Sequence, residues 1–186
     1  MRLFVAIEIE PAIRERINEF VTRLRPKISE ARWVRPEGLH ITLKFLGNVA
    51  DERRDAIENA LKTIQRKSFT LSLKGLGIFP NPRSPRVLWV GIETGPDLEH
   101  IAAEVDQQMA SVGFERENRP FSPHVTLARF HERPRGNLGS VLSETPPSFG
   151  TMTADQFHLY ESKLSPQGSR YTKLSSFELK QASNSA

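Results

Sequence analysis

The sequence predicts a mixed fold of strands and amphipathic helices, arranged as two similar lobes facing one another across a shared cleft. Three observations carry this reading. Short alternating apolar runs recur along the chain with helical apolar stripes between them. The tetrapeptide H-[IV]-T-L occurs twice, as His40-Ile-Thr-Leu and His124-Val-Thr-Leu, 84 residues apart (124 − 40). Each copy falls on a predicted strand in its own half. The halves share little beyond the motif, so the two-unit repeat rests on that echo.

Taken in order, residues Arg2 to Ile9 alternate, with Leu3, Val5, Ile7 and Ile9 on one face and Phe4 and Ala6 on the other. Pro11 suits a first helical turn, and Ile13, Ile17, Phe20, Val21 and Leu24 make one stripe that Pro26 ends. A strand over Leu39 to Leu46 stops at Gly47-Asn48. Asp51 then reads as the N-cap of a helix buried along Ala56, Ile57, Ala60, Leu61 and Ile64. Strands at Phe69 to Lys74 and Arg86 to Glu93 flank a turn-rich stretch, Gly75-Leu-Gly-Ile-Phe-Pro-Asn-Pro. Asp97 reads as the cap of a third helix carrying Leu98, Ile101, Ala102, Val105 and Met109, with Gly113 terminating it. The second motif strand runs from His124 to Phe130. Arg133 to Gly150 is polar and rich in Pro and Gly, a flexible connection. Strands near Gln156 to Glu161 and Tyr171 to Leu179 close the chain.

With 186 residues, 38% of them hydrophobic and 26% charged, the chain has enough apolar material for a packed core. Residues 1–180 are expected to form one two-lobed domain, with 181–186 a disordered tail. There is no cysteine, which excludes disulfides, zinc-thiolate sites and thiol nucleophiles and fits a reducing cytoplasm. The N-terminal apolar run is interrupted by Glu8 and Glu10 too soon for a signal peptide. No stretch reaches the roughly 18 apolar residues that span a membrane. A formal charge of +4 leans only mildly toward anionic partners.

On a strand, side chains two residues apart point the same way, roughly 7 Å from one another. H-x-T thus presents an imidazole and a hydroxyl side by side, while Ile41, Leu43, Val125 and Leu127 anchor the opposite face. Two such strands hold two imidazoles and two hydroxyls around one point. That set suits phosphodiester cleavage: one imidazole takes a proton from attacking water and the other protonates the leaving alkoxide. Hydroxyls hold the non-bridging oxygens, and a positive imidazole offsets their charge, so no metal is required. A lone His-x-Thr is commonly a half-buried histidine beside a β-favouring threonine. Composition predicts only about 0.3 such triplets in a chain of this length, so two on strands point to function.

Both motifs, with the segments FVAIEI, HITLKFLG, GLGIFPNPRSPRVLWVGI and SPHVTLARF, resemble the RNA 2',3'-cyclic phosphodiesterase family, also called 2'-5' RNA ligases, of the two-histidine phosphoesterase superfamily. The resemblance runs from Arg2 to about Leu179. It implies an α+β fold with antiparallel sheets around a central cleft and helices on the outer faces. It implies that His40 protonates the leaving oxygen, leaving a 2'-phosphate, and that His124 accepts the proton from water. Spacing alone does not assign which histidine is acid. Thr42 and Thr126 take the phosphate-holding role. Arg129 is placed at the phosphate and Phe45 against the substrate base, although strict alternation puts each opposite its motif histidine, so Arg129 needs a bulge or a strand end. The expected partner is RNA with a 2',3'-cyclic phosphate end, such as a tRNA half or a nucleotide. No cofactor, metal or membrane is expected, and the chain reads as a cytoplasmic monomer.

Other candidates read more plainly. Arg83 and Arg86, around a Pro-rich turn, read as solvated loop charges in preference to an RNA-facing rim. His100 reads as exposed, and His131 and His158 as structural or surface residues. Gly75-x-Gly77 is no nucleotide loop, because Phe79-Pro80 stands where a helix should begin. The loop Ser165 to Tyr171 resembles the family's C-terminal turn beside the cleft, and a plain hairpin explains it equally well. Three alternatives stay open: ATP-independent ligation by the same acid and base, a phosphodiesterase for small cyclic nucleotides or ADP-ribose cyclic phosphates, and a non-catalytic RNA-binding module. The two intact motifs argue against the last.

Overall fold

The computed structural model describes residues 1–132, 134, 138–143 and 146–181. Among the described residues eight strands form one antiparallel path, β7-β4-β5-β6-β3-β1-β8-β9, and the short β2 pairs with β6 as a ninth. The strands are β1 (Arg2–Glu8), β2 (Ala31–Trp33), β3 (His40–Asn48), β4 (Phe69–Phe79), β5 (Val87–Thr94), β6 (His124–Phe130), β7 (Ser148–Ala154), β8 (Gln156–Ser165) and β9 (Gly168–Glu178). Helices α1 (Pro11–Leu24), α2 (Arg54–Lys62), α3 (Asp97–Ser111) and α4 (Leu138–Ser143) complete it. No described helix is long and apolar enough to cross a membrane. The fold is α+β, as expected.

The two lobes are the two halves of this path. Each contains a strand, a helix and a motif strand that pairs back antiparallel on the first: β1-α1-β3 in one half and β5-α3-β6 in the other. The halves meet where β3 and β6 pair at a single position, Ile41 with Val125. The residues that flank this pair on both strands, His40, Thr42, His124 and Thr126, line one cleft. Ile41 and Val125 are fully buried in the core that the sheet shares with the helices. The helices cross between lobes. Phe20 of α1 packs edge-on against Phe149 of β7, with ring centroids 5.4 Å apart, and Arg16 donates to the Phe149 carbonyl. In turn α3 packs on β3 through Asp106 and Lys44.

Several local expectations are corrected. The turn-rich stretch after Lys74 continues as strand to Phe79. Gly75 takes φ +79° beside a register shift between Leu73 and Leu76, so it kinks the strand rather than ending it. Gly77 lies under the Trp89 ring, where a Cβ would come within 2.0 Å of the indole. Asp51 does not cap a helix but opens a 3-10 turn ahead of α2, 3.6 Å from the N-terminal ammonium. Asp97 is the first residue of α3, not its side-chain cap, and with Glu99 it places negative charge in the first turn. Gly113, at φ +90°, does end that helix. The connection expected to be flexible contains α4, with Leu138 and Val141 buried, and the start of β7. Residues 133, 135–137 and 144–145 of that connection, and 182–186 of the expected tail, lie outside the described residues.

Candidate active site

The motif strands keep their alternation through the first four residues. His40, Thr42, His124 and Thr126 are half-buried on the cleft face, while Ile41, Leu43, Val125 and Leu127 are buried behind them. Antiparallel pairing of Ile41 with Val125 puts His40 level with Thr126 and Thr42 level with His124. The two imidazoles are held in the same way. Nδ1–H of His40 donates to the Gly38 carbonyl at 2.7 Å, and that of His124 to the Ser122 carbonyl at 2.8 Å, in each case two residues upstream. A carbonyl only accepts, so Nδ1 carries a proton and Nε2 is left to do chemistry. Nε2 of His40 lies 3.0 Å from the Thr42 hydroxyl.

Aromatic rings wall both histidines. His40 sits 4.8 Å from Phe4 and edge-on to Tyr171 at 5.2 Å. His124 sits edge-on to Phe79 at 5.0 Å and 6.3 Å from Trp89. Desolvation among these rings disfavours the imidazolium and pushes His40 down to about 4, with the Arg129 and His124 charges adding to the effect. Burial and Arg129 lower His124 as well. Without a bound anion, both imidazoles are therefore neutral near pH 7.

After each H-x-T-L the alternation breaks at the same place. Thr42 pairs with Ala6 but Lys44 with Val5, so Leu43 is skipped. Thr126 pairs with Trp89 but Ala128 with Leu88, so Leu127 is skipped. These bulges flip the residues that follow. Lys44 turns to the helix side, and Phe45 turns into the cleft beside Phe4 at 6.0 Å. Arg129 reaches the cleft by the same device. Phe45 and Arg129 are again 84 residues apart (129 − 45), and both line the cavity. The core position that alternation gave Phe45 is thus corrected: it is 63% exposed, on the histidine face.

The cleft has a volume of about 540 Å³ and holds all six expected residues, His40, Thr42, Phe45, His124, Thr126 and Arg129, in its wall. Phe4 and Tyr171 belong to that wall too and escaped the sequence reading, as did the ring contacts of Phe79 and Trp89 with His124. Phe4 could have been found from the alternate face of β1, and Tyr171 from the loop beside the cleft. His131 is corrected from a structural or surface residue to a cleft-lining one. Arg86 is exposed, as the solvated reading has it, and its Nη1 also donates to the His131 carbonyl at 2.7 Å. His158 is buried, with Nδ1 2.9 Å from the Ser176 hydroxyl, and His100 is exposed. Among the described residues, no group of three or more His, Asp or Glu side chains is placed to hold a metal ion.

Comparison with known proteins follows the same two halves. The family described as LigT-like phosphoesterase matches twice, over residues 7–89 and 90–171, so each match contains one motif. A protein of Archaeoglobus fulgidus named RNA 2',3'-cyclic phosphodiesterase is 37% identical over 178 residues, covering 96% of this chain and all of its own. One of the same name from Escherichia coli is 33% identical, with 97% of each chain covered. The structure of Escherichia coli LigT complexed with 3'-AMP superposes with a TM-score of 0.81 at 33% identity, covering 97% of this chain and 98% of that one.

Proposed function

The chain belongs to the LigT-like phosphoesterase family, and on that premise we propose that it hydrolyses RNA 2',3'-cyclic phosphate ends to 2'-phosphates by metal-independent acid and base catalysis from His40 and His124. One observation carries the reading: two imidazoles on adjacent antiparallel strands, each locked through Nδ1–H on a carbonyl two residues upstream, both lining one cleft.

With the cyclic phosphate between the motifs, water attacks phosphorus in line with the 3'-oxygen. Nε2 of His124 takes the proton from that water, and Nε2–H of His40 delivers one to the 3'-oxygen as its bond to phosphorus breaks. The roles follow the family resemblance, since the two sites are alike in geometry. One proton is taken up and one released, so the pair ends the turnover with its protonation exchanged and resets through solvent. The Thr42 and Thr126 hydroxyls donate to the non-bridging oxygens, and Arg129 balances their charge. Phe45 offers its exposed ring to the base. His40 is neutral in the free protein, so the acid must be made on binding. The phosphate anion supplies the opposite charge that desolvation and Arg129 otherwise work against. Substrate binding therefore brings in a proton.

The test is hydrolysis of 2',3'-cyclic nucleotides and cyclic-ended RNA in EDTA by the wild type, His40→Ala and His124→Ala. Each substitution should remove about 10²- to 10⁴-fold of the rate, with EDTA without effect. Near-normal turnover in either variant, or activity that vanishes in EDTA and returns with metal, overturns the proposal.

A further inference from the structure

A second groove of about 310 Å³ continues from the catalytic cleft, and the two share seven lining residues, among them Arg32, Arg129, Gly168, Ser169 and Tyr171. Its remaining lining includes Trp33 and Arg35 from the segment around β2, and Arg170 from β9. Four arginines thus face one groove against a single acid, Glu37. None of the four guanidinium groups has a salt-bridge or hydrogen-bond partner among the described residues. Five arginines elsewhere, Arg14, Arg54, Arg66, Arg116 and Arg119, pair with carboxylates, and three more, Arg16, Arg53 and Arg86, donate to backbone carbonyls.

The arrangement at the shared wall is costly by itself. Arg32 of β2 pairs directly with Arg129 of β6. Residues directly opposite on antiparallel strands bring their Cβ atoms to about 5 Å, and like charges at that position repel. An anion seated between the two guanidinium groups would reverse the sign of this repulsion. The half-exposed Trp33 adds an aromatic surface of the kind on which nucleic-acid bases stack.

We infer that this groove binds the penultimate nucleotide of a single-stranded RNA whose terminal cyclic phosphate occupies the catalytic cleft, with Arg32 gripping the phosphodiester between the two nucleotides and Arg129, on the shared wall, standing between that phosphate and the cyclic one. The inference rests on the proposed phosphodiesterase reading and extends it from the reacting end to the strand behind it. Arg35 and Arg170 supply charge around the second nucleotide, and Trp33 supplies stacking surface. The enzyme then distinguishes an RNA end from a free cyclic mononucleotide through groups that touch only the former.

The test compares uridine 2',3'-cyclic phosphate with the uridylyl dinucleotide ending in the same cyclic phosphate, using the wild type, Arg35→Ala and Arg170→Ala. Both arginines are exposed and unpartnered, and they lie on different elements, so each variant checks the other should one fail to fold. The dinucleotide should have a kcat/KM about tenfold higher in the wild type, through KM. Each variant should lose severalfold of that advantage while its mononucleotide constants stay unchanged, and Arg→Lys should restore part of it. The dinucleotide's kcat/KM should also fall more steeply with salt, by a slope of about 0.7 on logarithmic axes for the added phosphate. Equal constants for the two substrates in the wild type, or an advantage untouched in both variants, overturns the second subsite and leaves the phosphodiesterase reading standing. Absence of turnover with either substrate overturns both.

Discussion

Replacing Asp106 by alanine should loosen the strand that carries the first motif. Asp106 is a largely buried carboxylate on α3, with 13% of its side chain exposed. Its Oδ1 accepts from Lys44 Nζ at 2.5 Å and from the Glu117 amide at 3.0 Å, and its Oδ2 accepts from Arg116 at 2.6 Å. Lys44 is the residue that the β3 bulge turns toward the helix, and its side chain is only 9% exposed. Without Asp106, its ammonium keeps one acceptor, the Glu115 carbonyl. Removing one partner of a buried pair costs about 3–5 kcal/mol. The lower end applies here, because Arg116 is exposed and its contact contributes little. About 3 kcal/mol in a chain of this size corresponds to a fall in Tm of roughly 6–12 °C. The double variant Lys44→Met with Asp106→Ala should recover a large part of the loss, since no buried charge is then left unpaired. Burial works to raise the Asp106 pKa but is outweighed by the hydrogen bonds from Lys44, Glu117 and Arg116, so the carboxyl lies below its ordinary value. Its contribution is complete above the ordinary value of about 3.9 and fades as pH falls through the depressed native one. The Tm gap between wild type and Asp106→Asn should therefore narrow in acid. Well below Tm, Asp106→Ala should raise KM more than it lowers kcat, because the bulge that seats Lys44 also presents Phe45. Denaturant unfolding that puts Asp106→Ala within about 0.5 kcal/mol of wild type, the range of ordinary surface changes, would refute the reasoning.

Two further outcomes follow from the site. Sulfate, which does not titrate in this range, should bind more tightly as pH falls from 7 toward about 5, taking up a proton on the depressed histidines; calorimetry in buffers of different ionisation enthalpy measures that uptake, and pH-independent affinity would contradict it. Thr42→Ala and Thr126→Ala should each lower kcat by about 10- to 100-fold through loss of one charge-assisted hydrogen bond, less than either histidine variant, and unchanged kinetics would make the threonines simple strand formers.

The two imidazole–hydroxyl pairs were legible because alternation on a strand is a local rule. It holds from His40 through Leu43 and from His124 through Leu127, so both imidazole–hydroxyl pairs and their buried anchors could be read directly. It fails one residue later, at bulges that depend on how β1 and β5 pair with the motif strands. Phe45 and Arg129 were therefore placed in the cleft by resemblance and against alternation. The rings around the histidines come from positions as distant as Phe4 and Tyr171, which only the completed sheet brings together. The strand β7 was missed because Gly150, at φ +119°, interrupts a run whose buried residues, Phe149, Met152 and Ala154, do not alternate cleanly. The three-residue β2, which carries Arg32, is too short for any periodicity to show.

In the proposed mechanism His40 gives its proton to the 3'-oxygen while His124 serves the attacking water, and a change of leaving atom separates the two roles. In a cyclic substrate whose bridging 3'-oxygen is replaced by sulfur, the departing thiolate needs no proton, whereas the water must still lose one. Measured side by side on the oxygen and sulfur substrates, His40→Ala should recover most of the wild-type rate on sulfur while His124→Ala stays inactive on both. Recovery of His124→Ala in its place, or of neither variant, would contradict the assignment.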